Sequence, residues 1–342
     1  MTDVPLVTAN LPGTGGRIKE QIDDFEVEEI PAYEPCGTGE HLYLWIEKRD
    51  MGAEFFARQI AQRLGIRPGD IGTAGMKDRH AVTRQWVSVP AGAEPNLGKL
   101  EGDGIRVLST SRHTNKLRPG HLRGNRFRVL IREPQAAQNA PAIIEAITQN
   151  GLPNFYGEQR FGHDGETSKL GFDLLHGRFT GRVNPFLRKL ALSAAQSALF
   201  NDYLARRMSD SLLRTVLPGD VLGKWPAGGM FVSTEPHVDQ PRLDAREVVP
   251  AGPMFGAKTF GAAGVAAERE ALVLGAAGLT PESFRGFGSL IQGTRRHNFV
   301  YVDDLACDAN AEGLRLTFTL PAGSYATVLV RELMHSEAAE EP

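Results

Sequence analysis

Gly72-Thr73-Ala74-Gly75-Met76-Lys77-Asp78-Arg79-His80-Ala81-Val82-Thr83-Arg84-Gln85 is the densest run of glycine, charge and polar side chains in the chain. Apolar strand-like segments flank it: Asp70 to Met76 on one side and Gln85 to Val89 on the other. Lys77-Asp78-Arg79 then falls in a polar loop or strand end, with Gly72 and Gly75 letting the backbone turn or a ligand approach closely. A carboxylate between two cations stays ionised near neutral pH, as an anionic nucleophile must. The plainer reading of Asp78 is a loop aspartate that caps a helix or pairs with an arginine. A phosphate-binding loop is excluded by spacing. The pattern G-x-x-x-x-G-K-[ST] is not met, because only Thr73 and Ala74 separate the glycines and Asp78 follows the lysine.

Upstream, Asp24 to Ile30 alternates in the two-residue period of a strand, with Phe25 and Val27 on one side and Glu26 and Glu28 on the other. Leu42 to Glu47 alternates in the same way. Glu54 to Leu64 sets Phe56, Ile60 and Leu64 on one helical stripe, stopped by Gly65 and Pro68. Downstream, Asn125 to Arg132 (NRFRVLIR) alternates again, with Phe127, Val129 and Ile131 on one face and Arg126, Arg128, Leu130 and Arg132 on the other. Pro141 to Gln149 reads as a helix closed by Asn150-Gly151. A longer helix follows from Lys189 to Met208, then a stretch rich in Gly and Pro to about Gly264. Strand-then-helix texture returns in Phe299 to Val302, Leu314 to Leu320 and a last helix from Ser324 to Leu333. The expected architecture is α+β, with a closing strand that rejoins the opening sheet around an inserted subdomain. Glu337 to Pro342 reads as a frayed tail.

The chain has 342 residues, 41% hydrophobic and 23% charged, enough for one large or two medium folded domains and unlike a disordered protein. No run approaches the ~18 to 20 apolar residues of a membrane span, and Met1 to Gly15 lacks a basic flank before an apolar core, so a cytoplasmic location is expected. Two cysteines, Cys36 and Cys307, suggest no disulfide framework, and no CxxC or HxxxH spacing suggests a zinc site; no metal is expected. The net charge of −3 gives no reason to propose a nucleic-acid partner, but its distribution does. Between Ile105 and Arg132 stand eight basic residues (Arg106, Arg112, Lys116, Arg118, Arg123, Arg126, Arg128 and Arg132) and no Asp or Glu. Such a stretch is either a phosphate-attracting surface or an ordinary solvated face.

The run from Gly75 to Gln85 closely resembles the catalytic signature of the TruD pseudouridine synthases. Four further segments resemble that family in the same order: Lys19 with DDFEVEE at Asp23 to Glu29, GNRFRV at Gly124 to Val129, NFYGEQRFG at Asn154 to Gly162 and LPAGSYATVLVREL at Leu320 to Leu333. Met76 stands where many relatives have threonine, Phe155-Tyr156 is transposed, and Tyr325 occupies a place often held by phenylalanine.

The resemblance implies a pseudouridine synthase-type catalytic domain over 1–155 and 304–342, with a mixed, largely antiparallel sheet flanked by helices. It implies an inserted α+β TRUD domain over 156–303 and a basic cleft. It further implies isomerisation of uridine in tRNA, with position 13 the family's usual target, Asp78 as nucleophile and no cofactor. Phe25, Asn125, Phe127 and Tyr325 become candidates for lining the uridine pocket, and Lys19 for binding substrate. Each aromatic taken alone reads first as core packing, and only the resemblance moves it towards the pocket. Arg112, Lys116, Arg118 and Arg123, together with Arg160, Lys169, Arg178, Arg182, Arg188 and Lys189 in the insertion, are candidates for gripping phosphates. Glu158, Gln159 and Arg160 read equally as organisers of a hinge. The alternatives are a catalytically silent RNA-binding protein of the same fold and a glycosidase-like hydrolase that releases free uracil.

Overall fold

The computed structural model describes residues 4–336, so the tail expected at 337–342 lies outside the described residues. The chain divides into two compact units. One comprises Leu11–Glu145, Val302–Ala326 and, of the described residues, 333–336; the other comprises 4–10, Ala146–Tyr301 and Thr327–Glu332.

The first unit is built on strands β1 (Phe25–Pro31), β2 (His41–Arg49), β3 (Gly72–Thr73), β4 (Val82–Pro90), β5 (Ile105–His113) and β6 (Leu122–Arg132). Helix α1 (Ala53–Leu64) lies between β2 and β3 and ends on Gly65 in the left-handed conformation (φ 70°), which costs glycine no Cβ clash. Its stripe of Phe56, Ile60 and Leu64 joins Leu42, Leu44, Ile46, Val87 and Val89 in one core. Helix α2 (Ala140–Asn150) leads into the second unit.

That second unit holds β7 (Leu152–Pro153), α3 (Glu166–Leu175), α4 (Pro185–Ser209), β8 (Val221–Lys224), β9 (Met230–Val232), α5 (Pro236–Asp244), β10 (Val248–Met254), α6 (Gly264–Ala276), β11 (Thr294–His297) and β12 (Phe299–Val300). Strand order β11-β10-β8-β9 makes one sheet, and β12 pairs with β7 in another. The chain then returns to the first unit in β13 (Ala306–Asn310) and β14 (Gly313–Pro321), and α7 (Ala326–Met334) follows, its residues Thr327–Glu332 belonging to the second unit. Glu332 on α7 is buried and accepts hydrogen bonds from the amides of Val7 and Thr8 and from the Thr8 hydroxyl.

The first unit's sheet runs β13-β14-β6-β1-β4-β2-β5, with β3 added to β4. Only β1 and β4 pair in parallel; the other pairs are antiparallel. This is the expected mixed, largely antiparallel sheet, rejoined by the closing strand β14. One transverse row of inward side chains reads Lys48, Thr83, Val27, Phe127 and Phe318, each in register with the next. All five are buried.

Three sequence expectations change. The strand expected over Asp70 to Met76 shrinks to Gly72–Thr73, and Met76 is 78% exposed, because the chain leaves the sheet at Ala74 to form the Asp78 loop. The long helix α4 starts at Pro185, where the Asn184 side chain caps the Leu187 amide at 2.7 Å and proline fits the first helical position. The run of unopposed positive charge over 105–132 is partly neutralised. The β1–β6 register sets Glu28 against Arg126 and Glu26 against Arg128, and Asp24 takes Arg132 at 2.7 Å. Those acids lie about a hundred residues away in the chain, so local composition could not reveal them.

Candidate active site

Asp78 lies in the loop between β3 and β4, with a quarter of its side chain exposed. Three lysines surround its position. Lys19, itself at a left-handed φ of 58°, brings its ammonium within 4.0 Å of Asp78 Oδ1 and 4.6 Å of the centre of the Phe25 ring. Lys77 turns inward instead, and its Nζ donates to Glu29 Oε2 at 2.8 Å in a pair that is almost wholly buried. Lys48, fully buried on β2, donates to the backbone carbonyl of Asp78 at 3.0 Å and also to the Met51 carbonyl. The carboxylate therefore sits near one cation while its own backbone is tethered by another. Such an arrangement sets a positive charge beside the carboxylate and limits where the loop can go.

Alternation along the strands supplies the floor. Phe25, Val27 and Glu29 on β1 oppose Val129, Phe127 and Asn125 on β6, so all six share one face. Phe25 meets Phe127 edge-on, with centroids 6.1 Å apart, and Phe127 stacks on Phe318 at 5.3 Å. Phe25 and Phe127 are both buried. Asn125 is partly buried, and its Oδ1 has no hydrogen-bond partner among the described residues although the atom is sequestered from solvent. Tyr325 is partly buried just before α7, five residues beyond the Leu320 that pairs with Asn125. Lys19, Phe25, Phe127 and Asp78 thus form one chain of contacts, and Asn125 adjoins it through the β1–β6 register, while Tyr325 lies in the turn between β14 and α7.

Gly72 serves packing here rather than turning. A Cβ on it would lie 2.3 Å from the Leu117 carbonyl oxygen and 2.4 Å from Ser88 Oγ. That closeness lets the 114–121 loop dock on the segment leading to Asp78, where the Gly120 amide donates to the Ala74 carbonyl at 2.8 Å and Leu117 N to Ser88 Oγ at 2.9 Å. The docked loop carries Lys116 and Arg118. Lys116 is tied to the Gly69 carbonyl and Arg112 to the Glu94 carboxylate, whereas Arg118 and Arg123 make no ion pair among the described residues. In the second unit, Arg160 bonds Ser197 Oγ at 3.3 Å and Ser193 Oγ and lies over the Tyr156 ring at 5.7 Å, an internal bracing role.

Lys48 and Glu29 escape the sequence reading, although the signal exists. The two-residue period puts Lys48 in line with Leu42, Leu44 and Ile46, and Glu29 in line with Phe25 and Val27. A charge on the buried face of a strand costs stability unless it is paired, and so marks a functional candidate. Among the described residues, no group of three or more His, Cys, Asp or Glu side chains could hold a metal ion, and no helix is long and apolar enough to cross a membrane.

The family model of TruD, tRNA pseudouridine synthase D, matches residues 2–190 and 180–333. A protein of Anaeromyxobacter sp. (strain Fw109-5) is 47% identical over 99% of this chain and 98% of its own length. One of Thermus thermophilus is 42% identical over 98% of this chain and 93% of its own. Both are named tRNA pseudouridine synthase D. The crystal structure of a TruD protein from Methanosarcina mazei superposes with a TM-score of 0.77 over 98% of this chain and 97% of that one, at 23% identity, and so shares the fold. The chain belongs to the TruD family of tRNA pseudouridine synthases.

Proposed function

We propose that this protein isomerises a uridine of tRNA to pseudouridine, with Asp78 as the nucleophile and position 13 as the target. The observation that carries the reading is the Asp78 carboxylate, part-exposed and 4.0 Å from the Lys19 ammonium, on a loop whose carbonyl is held by a buried lysine. The N1 to C1′ bond breaks, the uracil turns, and C1′ joins C5; the C5 proton leaves as N1 gains one. Atoms and electrons balance, so the conversion needs no cofactor. Asp78 attacks C1′ or C6, or assists elimination through a glycal; these three routes share the same requirement for an ionised carboxylate.

A base inside folded RNA must leave its stack to be reached, and apolar and aromatic surface compensates for what it loses. Phe25 and Phe127 provide the floor of the pocket, Tyr325 a side, and Asn125 Oδ1, which lacks a partner among the described residues, accepts the uracil N3–H. Arg112, Lys116, Arg118 and Arg123 bind phosphates beside it. The catalytic domain spans 1–155 with 304–342, the inserted TRUD domain spans 156–303, and the reaction is cytoplasmic.

Incubation of unmodified tRNA with wild type and with Asp78→Asn, followed by nucleoside mapping, tests the reading. Pseudouridine from wild type alone supports it. Free uracil indicates a hydrolase, unchanged RNA with both proteins indicates a silent binder, and activity in the variant removes Asp78 from the chemistry.

A further inference from the structure

The second unit carries a surface that the chemistry at Asp78 does not use. From Leu174 to Asn201 the chain contains no Asp or Glu, yet it holds Arg178, Arg182, Arg188 and Lys189. All four are exposed, and none forms an ion pair among the described residues. Two aromatic rings stand among them: Phe186 is 73% exposed and Phe179 is 37% exposed.

Local structure fixes this arrangement. Asn184 caps α4 and Pro185 starts it, so Phe186, Arg188 and Lys189 lie on the first turns of the helix, ahead of Ala191, where burial begins. The Arg188 guanidinium lies 5.4 Å from the Phe287 ring centre, which holds that cation at the patch. Phe179 lies against Gly181, where a Cβ would come 2.7 Å from its Cζ. A phenylalanine three-quarters in water at the head of a helix does no work for the core. Singly exposed apolar residues are common, but two exposed rings and four cations without ion pairs among the described residues, all between Arg178 and Lys189 in the chain, are the residue types with which proteins stack the bases and hold the phosphates of single-stranded nucleic acid.

We infer that Phe186 and Phe179 form a stacking platform for unpaired nucleotides of the RNA substrate, with Arg178, Arg182, Arg188 and Lys189 gripping the adjoining phosphates. Charge complementarity selects RNA as the occupant: an apolar partner protein would leave four cations uncompensated, whereas phosphates neutralise them and release counterions. Phenyl rings accept any base, so the platform recognises lack of pairing rather than sequence. The inference rests on the proposal that tRNA is the substrate, and it assigns to the second unit an RNA contact of its own.

The test measures affinity for unmodified tRNA across a salt series for wild type, Phe186→Ala, Phe179→Ala, Phe186→Trp and Arg182→Ala. Phe186→Ala is expected to weaken binding about tenfold with an unchanged salt slope, because stacking releases no ions. Arg182→Ala is expected to reduce the slope by about one. Phe186→Trp keeps the platform, and its added fluorescence should be quenched by tRNA and by unstructured RNA but not by a fully paired RNA stem. Unchanged affinity in both Phe→Ala variants, or quenching by the paired stem equal to that by tRNA, overturns the inference. So does a wild-type dimer that Phe186→Ala dissociates, since the rings would then cover each other. Wild type that binds no tRNA sinks the proposed function itself, a result separable from tight binding that ignores the rings.

Discussion

The ammonium of Lys48 donates a 3.0 Å hydrogen bond to the carbonyl oxygen of Asp78, so a fully buried lysine on β2 holds the backbone of an exposed loop thirty residues later in the chain. A buried cation is expensive, and here its partners include two loop carbonyls. Lys48→Met is expected to lower kcat about a hundredfold, since misplacing a reacting group by about 1 Å costs that much. Affinity for tRNA should stay within about threefold, because Lys48 is shielded from solvent and meets no RNA. Single-turnover rates and binding isotherms on the folded variant give the comparison; equal loss in both would mean that Lys48 only holds the fold.

Glu29 and Lys77 form a nearly solvent-free pair at 2.8 Å. Removing one partner strands the other charge, so Glu29→Gln should cost about 3 to 5 kcal/mol, whereas replacing both by apolar groups of similar volume is often far less harmful. Urea unfolding of Glu29→Gln, Lys77→Met and the Glu29→Leu/Lys77→Met double variant should find the double closer to wild type than Glu29→Gln. Additive losses would contradict a coupled pair.

Arg118 and Arg123 carry charge that no acid answers among the described residues, while Arg112 already engages Glu94 and Lys116 a carbonyl. Charge reversal at Arg118 or Arg123 should therefore weaken tRNA binding more than reversal at Arg112, with each lost phosphate contact lowering the salt slope by about one. Salt-dependent binding assays decide the order. Unaltered affinity and slope in all the variants would remove this surface from RNA binding.

His297 on β11 packs against the Trp225 ring at 5.6 Å, and its Nε2 has no hydrogen-bond partner among the described residues. Burial first, and the neighbouring Arg296 second, hold its imidazole below the ordinary value of 6.5. The folded protein thus prefers the neutral ring. That preference contributes stability in full above the unfolded value near 6.5, and the contribution is lost as pH falls through the lower folded value. Melting temperatures should drop more steeply below about pH 6.5 in wild type than in His297→Phe. Parallel pH profiles for the two proteins would exclude His297 as a source of the slope.

Much of the sheet unit is legible in the sequence because its strands obey a two-residue period. β1 and β6 emerge where the alternation is clean, and α1 ends where Gly65 follows its stripe. What stays hidden depends on register between distant segments. Glu26 and Glu28 neutralise Arg128 and Arg126 only because β1 runs antiparallel to β6, a pairing that no local window contains. The role of Gly72 is hidden for a similar reason: its neighbours are Ser88 and Leu117, and what it provides is closeness to them rather than a turn. Asp78 stands out because charge and glycine cluster in its own loop, whereas Lys48 and Glu29 are concealed inside strands otherwise read as hydrophobic.

β14 pairs with β6 along its whole length, and Phe318 stacks on Phe127, yet Arg132 and Gly313 are separated in the chain by Ala146–Tyr301, the long segment of the second unit. During synthesis, one flank of β6 must wait without its mate while the ribosome makes everything in between. An open flank is an invitation to foreign strands. A nascent or prematurely terminated chain ending before Gly313 would therefore be sticky, and productive folding of this sheet must be deferred until β14 has been made.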